Sequence, residues 1–317
     1  MPSSDTPPSA QTNSSEAPAH DSSPWLSVLI PSYEFAAGVD RILETLASQR
    51  PSGVECIVRD DSRSNDVQDM VNAHIRQQDV ADLTYVRSPE PKGAANNWNA
   101  LMAMARGEYI VLMHHDEAPL GADFFATLYR ELHADGGTDV LVLGCMVGQE
   151  SSSLLRRHMP AAIQSLLIRV LGSGYLLRRN FIGPPSVLVI RRSACPTFDA
   201  RLKWLVDVDW MHRAMRTATV RSRVSTQLHV ASLQRNGASI TSTLKGSLHE
   251  IERTELALIC AEQNVGKWSV ILQPRNIWNR TAAAMESGAW LILKVGLRLW
   301  AQVVRTRNPY HRPGADT

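Results

Sequence analysis

Between Leu26 and Met113, short apolar runs alternate with segments whose apolar residues recur at helical spacing, and this alternation constrains the chain more than any other feature. Leu26 to Ile30 (LSVLI), Val54 to Arg59 (VECIVR), Leu83 to Val86 and Tyr109 to Met113 (YIVLM) read as buried strands. Val39, Ile42, Leu43 and Leu46 mark an amphipathic helix after the first strand. Val67, Met70, Val71 and Ile75 mark a second, and Trp98, Leu101, Met102 and Ala105 a third. Strands joined through helices run parallel, so the expected fold class is α/β, with a mostly parallel open sheet flanked by helices. Asp139 to Leu143 and Val187 to Ile190 read as further strands, and the pattern after Val224 turns mostly helical. No internal repeat is present.

Ligands of such sheets bind beyond the carboxyl ends of the strands. Three strands here end in chemically informative residues: Pro31-Ser32-Tyr33, Asp60-Asp61-Ser62 and His114-His115-Asp116-Glu117. All three clusters should gather along one edge. Composition narrows the ligand further. The net charge of the 317 residues is only +2, so nucleic acid is not expected as a partner. Cys56, Cys145, Cys195 and Cys260 are far apart, with no metal-ligand spacing, and read as reduced structural thiols. Residues 1–24 are rich in Ser, Pro and Ala and read as a disordered tail. They carry neither the basic start nor the apolar run of a signal peptide, and no run is long enough to span a bilayer. The expected location is the cytoplasm, extending to the inner face of the membrane.

Two later segments carry chemistry. Lys92 to Asn99 (KGAANNWN) follows the third strand and opens a helix; Gly93 lets backbone pass close to a ligand, and Lys92 offers a point charge. Lys203 to Trp210 (KWLVDVDW) places Asp207 and Asp209 at the start of another helix, where a carboxylate suits an N-cap.

VLIPSY, DDSRSND, KGAANNWN and GEYIVLMHHDE, in this order and approximate spacing, resemble the family-2 glycosyltransferases of the GT-A fold over roughly Trp25 to Asn236. The resemblance implies a GT-A domain over 25–236, divided into a nucleotide-sugar half (25–147) and an acceptor half (148–236). A helical C-terminal extension would occupy 237–317. It implies inverting transfer of a sugar from a nucleotide diphosphate, a UDP-sugar, to an acceptor hydroxyl, in the synthesis of cell-surface polysaccharide. Asp61 takes the position that accepts from a uracil N–H, although Asp60 and Asp61 also suit a turn or helix cap. Pro31, Ser32 and Tyr33 would line the nucleotide pocket. Lys92 and Gly93 would meet the diphosphate; Asn99 keeps the family's spacing from Gly93, and Arg235 stands where the family has an Arg near the donor phosphates.

The family's Asp-x-Asp metal motif is altered here to His114-His115-Asp116. Asp116 keeps the more direct ligand, and the imidazole of His114 tilts a divalent site toward Mn²⁺ over Mg²⁺. Glu117 would add a carboxylate through water; a zinc site lacks further ligands at recognisable spacing. Asp207 matches the catalytic base, with Asp209 as the alternate. Asn180 to Ser186 (NFIGPPS) resembles a stretch near the acceptor, which would be a saccharide or a lipid-linked saccharide. Trp290, Leu293, Leu297, Trp300 and Val304 share a helical face and Lys294, Arg298 and Arg305 another, so residues 290–305 suit either peripheral membrane contact or ordinary docking. Two rival functions remain. One is a non-catalytic nucleotide-sugar binder. The other is a sugar nucleotidyltransferase, which would need a Gly-rich loop after the first strand where Ser32-Tyr33-Glu34-Phe35 stands.

Overall fold

The computed structural model describes residues 23–90, 93–134, 137–216, 221–234, 248–263, 265, 268, 272 and 277–311. Lys92, Arg235 and nearly all of the 1–24 tail lie outside them.

The first half alternates as its hydrophobic pattern requires: β1 (Leu26–Ser32), α1 (Ala36–Gln49), β2 (Val54–Asp60), α2 (Asp66–Gln77), β3 (Leu83–Arg87), α3 (Ala94–Met104) and β4 (Tyr109–Leu112). These strands lie side by side in the order β3-β2-β1-β4, every pair parallel. β1 is buried along its whole length, which explains its lack of polar alternation. It runs on through Pro31 to Ser32, where the sequence placed its end at Ile30. β4 pairs with β1 only as far as Leu29, so a residue without an N–H is tolerated at Pro31.

The second half turns the sheet antiparallel. β5 (Glu117–Leu120) and α4 (Phe124–His133) lead to β6 (Val140–Gln149), β7 (Leu154–Arg157), α5 (Ala161–Leu171), β8 (Leu188–Arg191), α6 (Val206–Arg216) and β9 (Ser222–Gln234). β8 pairs antiparallel with β4 and with β6, and β6 pairs antiparallel with β7. β9 lies parallel to β6 and antiparallel to β5. The parallel sheet read from the sequence is therefore its β1–β4 part, within a mixed whole. β9 occupies the stretch that the sequence assigned to helix, and a register shift between Val142 and Gly144 of β6 breaks its alternation.

The chain then forms α7 (Leu248–Glu262) and α8 (Ile277–Val303), and β10 (Arg305–Arg307) closes the outer edge of the sheet against β7. One hydrophobic core runs from Leu26 and Val28 through Val140 and Trp210 to Leu256 and Ile259, so the late helices share it. Cys56 and Cys145 are buried free thiols, and burial pushes both well above the ordinary thiol range.

Candidate active site

The carboxyl ends of β1, β2 and β4 meet as expected. The N–H of Asp61 donates to the Ser32 carbonyl at 3.0 Å. Those of Tyr33 and Glu34 donate to His115 Nδ1 at 3.3 Å and to Ser62 Oγ at 2.7 Å. α1 comes so close that a Cβ on Gly38 would overlap the His115 carbonyl oxygen, so only glycine fits there.

The two adjacent aspartates at the β2 end have different jobs. Asp60 is fully buried and satisfied: it accepts from the Ser62 N–H, the Ser62 hydroxyl and the Tyr85 hydroxyl. Asp61 is also buried, yet its Oδ1 has no hydrogen-bond partner, and neither has the buried Oγ of Ser32. An unpaired buried polar atom costs about 1–3 kcal/mol, which a ligand N–H or hydroxyl would recover. Tyr33 stands 48% exposed beside them, open to a flat partner. Gly93 caps α3 at φ 83°, a conformation reserved for glycine, with open space around its Cα.

The turn from β4 to β5 gathers the charged groups. The His114 N–H donates to Glu117 Oε2 at 2.9 Å, and His114 Nδ1 lies 3.5 Å from Glu117 Oε1. One ligand atom from each of His114, Asp116 and Glu117 lies within 4.8 Å of the others. His114 Nε2 is buried with no partner. An imidazole with one buried, unpartnered ring nitrogen and two carboxylates form a donor set that fits a divalent cation once the imidazole gives up its proton. Glu117, which the sequence placed behind water, is 2% exposed and part of this cluster. Burial pushes its carboxyl above the usual range, partly countered by His114. Burial alone would lower His114, but Glu117, Asp207 and Asp116 outweigh it and hold the imidazole at about 9.

α6 brings Asp207 to the same place. Its Oδ1 is buried and unpartnered, and burial raises its carboxyl to about 6; His114 lowers it, while Glu117 and Asp116 raise it. Ser186, from the Asn180–Ser186 stretch, stands beside Glu117, its buried hydroxyl without a hydrogen-bond partner.

Two predicted site residues are committed elsewhere. Asn99 brackets Phe198, with Nδ2 donating to its carbonyl at 2.9 Å and Oδ1 accepting its N–H at 2.7 Å. Both ends of its amide are thus occupied, and its role is to fasten the loop before α6 to α3. Asp209 is fully buried, bonded to Arg213 Nη2 at 2.7 Å and to Gln263 Nε2 at 2.6 Å. It turns to these partners, leaving Asp207 as the open carboxylate of the pair.

Contacts that the sequence reading did not disclose hold this arrangement. Rings of His114, Trp98, Phe198 and Trp210 stand in a row with centroids 4.9, 4.8 and 4.6 Å apart, tying the β4 turn to α6. Glu255 of α7 accepts the N–H groups of Lys203 (2.6 Å), Trp204 (3.1 Å) and Leu205 (2.7 Å), directly before α6. Trp98 and Trp210 were legible as helix residues, but no local signal marked Glu255.

The sequence profile of glycosyl transferase family 2 matches residues 27–197. An uncharacterized protein of Mycobacterium tuberculosis is 26% identical over 309 residues, covering 92% of this chain and 91% of its own. Among solved structures, TarS 1–349 of S. aureus in complex with UDP-GlcNAc aligns with a TM-score of 0.54 at 18% identity, over 74% of this chain; the chain spans 66% of that one. The mannosyltransferase PcManGT of Pyrobaculum calidifontis, in complex with GDP-Man and Mn²⁺, gives a TM-score of 0.54 at 15% identity, covering 88% of this chain and 84% of its own. At such identities the two structures speak for the fold.

Proposed function

Because the chain belongs to glycosyl transferase family 2, matched over residues 27–197 of its 317, we propose that it transfers a sugar from UDP to an acceptor hydroxyl by a single inverting displacement. The observation that carries this reading is the set of buried, unpartnered atoms at the strand ends and the start of α6: Ser32 Oγ, Asp61 Oδ1, His114 Nε2 and Asp207 Oδ1. A folded chain with no ligand for them would lose stability at each one.

In this reading Asp61 accepts an N–H of the uracil ring, Ser32 bonds the nucleoside, and Tyr33 covers the base. The open backbone at Gly93 lets the diphosphate approach α3, with Lys92 and Arg235 as its cationic partners. Asp116 and His114, joined by Glu117, would hold a divalent cation, Mn²⁺ in preference to Mg²⁺, which when bound neutralises diphosphate charge. Asp207 accepts the proton of the attacking hydroxyl; its raised carboxyl, at about 6, is ionised at neutral pH and still basic enough for the task. The acceptor is a saccharide or lipid-linked saccharide entering beside Asn180–Ser186, as in cell-surface polysaccharide assembly. A lipid-linked acceptor calls for peripheral membrane contact through 290–305.

Thermal unfolding with UDP, GDP or dTDP, each with and without Mn²⁺, tests the donor and metal together. Ligand at about 100 times its dissociation constant adds roughly 2.7 kcal/mol. The expected result is a UDP shift that grows with Mn²⁺ in wild type, loses that growth in Asp116→Ala and disappears in Asp61→Ala. A shift with GDP but not UDP would reassign the base, and no shift with any nucleotide would overturn the reading.

A further inference from the structure

Helix α8 docks through one side and leaves the other bare. Its Glu286 accepts from Tyr175 Oη at 2.6 Å, Arg178 Nε at 3.1 Å and Arg179 Nε at 3.2 Å. Trp290 and Leu297 pack against the core. Both belong to the face that the sequence offered for either membrane contact or docking; Trp300 and Val304 of that same face remain exposed. The outward side carries Met285 (71% exposed), Leu291, Ile292 (76%), Val295 and Leu299 (61%). Gly288 and Gly296 lie among them, and an added Cβ on either would meet nothing within 4 Å. At 3.6 residues per turn these positions fall on one stripe, along a helix about 40 Å long. A folded protein seldom leaves so many large apolar side chains open together.

The charge beside this stripe has one sign. From Ile277 to His311 the only acidic residue is Glu286, already paired, whereas Arg280, Lys294, Arg298, Arg305 and Arg307 are exposed. In the β7–β10 ladder Arg305 stands directly opposite Arg156, and Arg307 opposite Leu154, itself 42% exposed. Like charges facing each other across a ladder are destabilising unless an anion lies over them. Among the described residues no helix is long and apolar enough to cross a membrane, so an apolar stripe with basic flanks fits an in-plane position at a bilayer surface.

We infer that the outer face of α8, with the arginines of β7 and β10, is a docking surface for an anionic lipid bilayer. The aliphatic stripe enters the headgroup–acyl boundary while the basic side chains meet lipid phosphates. The surface also adjoins the acceptor side: Arg178 and Arg179, which hold α8, immediately precede the Asn180–Ser186 stretch whose Ser186 stands beside Glu117. The surface rests on the proposed glycosyl transfer only insofar as it assigns the acceptor to the membrane.

Co-sedimentation of the full chain tests this, using vesicles of phosphatidylcholine alone and vesicles containing about one third phosphatidylglycerol. Binding is expected to the anionic vesicles at least tenfold more tightly than to the neutral ones, and to weaken as salt rises. Ile292→Glu with Leu299→Glu should lower it at least tenfold, and Arg305→Ser with Arg307→Ser several-fold, both with unchanged far-ultraviolet circular dichroism. Free inorganic phosphate should compete no better than other salt of equal ionic strength. Equal binding to both vesicles, no binding, or binding indifferent to the Glu variants would overturn the surface. So would a wild-type dimer that the Glu pair dissolves without vesicle binding, since the face would then belong to a second copy. The UDP shift of the same preparations reports separately on the donor reading, so the two can fail independently.

Discussion

At Asp207 a carboxylate has been drawn away from water without being given a partner, and its basicity rises to about 6 as a result. As the proposed base, Asp207 would lose its ionised form tenfold per pH unit below about 6, so turnover should fall with that slope in a pH–rate profile. Asp207→Asn should lose on the order of 10²–10⁴-fold in turnover while keeping its UDP-induced thermal shift. Loss of the nucleotide shift as well would place Asp207 in donor binding. Asn99 leads to the opposite expectation, because both ends of its amide are bonded to Phe198. Asn99→Ala should cost about 1–3 kcal/mol in chemical unfolding, with the UDP-induced shift retained. The strand-end residues were legible because apolar runs stop abruptly at Ser32, Asp60 and Met113. The fate of Asn99 was not: Phe198 lies far along the chain, and spacing from Gly93 says nothing about where an amide points.

Among the elements, α6 shows how little a motif reveals about burial. Arg213 stands four residues after Asp209, so the pair is visible in the sequence, but only the fold shows that Asp209 is fully enclosed with Gln263 on its other oxygen. Removing one member of such a pair strands a buried charge, so Asp209→Ala should cost about 3 kcal/mol in urea unfolding. The same helix buries His212, which shares a hydrogen bond with Ser173 Oγ at 3.0 Å. Burial first, then the charge of Arg216, lowers its imidazole to about 4. An unfolded His takes up its proton near 6.5 and the folded one only near 4, so the unfolded chain binds more protons across that window. Stability therefore falls as pH drops from about 6.5 toward 4, by up to roughly 3 kcal/mol from this group, and His212→Gln should lose that part of the slope. The strands β1, β2 and β4 were readable as mostly apolar runs because both of their faces are covered, whereas the edge strand β3 is only half-buried. β9 was not, since a bulged partner disrupts its alternation and its first residues are exposed.

At the scale of the whole molecule, α7 holds the segment that leads into the helix carrying Asp207, the proposed base. Glu255 reaches from α7 to the backbone N–H groups of Lys203, Trp204 and Leu205, just before the helix that carries Asp207. Those donors have no partner within α6, and a buried carboxylate across them satisfies the hydrogen bonds while opposing the positive end of the helix. Arg201 adds a second tie by pairing with Glu262, and Gln263 a third through Asp209. Nothing near Glu255 in sequence could have disclosed this, because its partners lie some fifty residues earlier and are backbone atoms. If the clamp positions Asp207, Glu255→Gln should reduce kcat about tenfold or more with the donor KM nearly unchanged, since none of the residues proposed to bind the nucleotide belongs to the segment it clamps. Glu255→Asp, which keeps the charge but shortens the reach, should fall between them. A clamp with a purely structural role would instead lower the melting temperature of Glu255→Gln and leave kcat intact below it, so steady-state kinetics well under the melting transition separates the two roles.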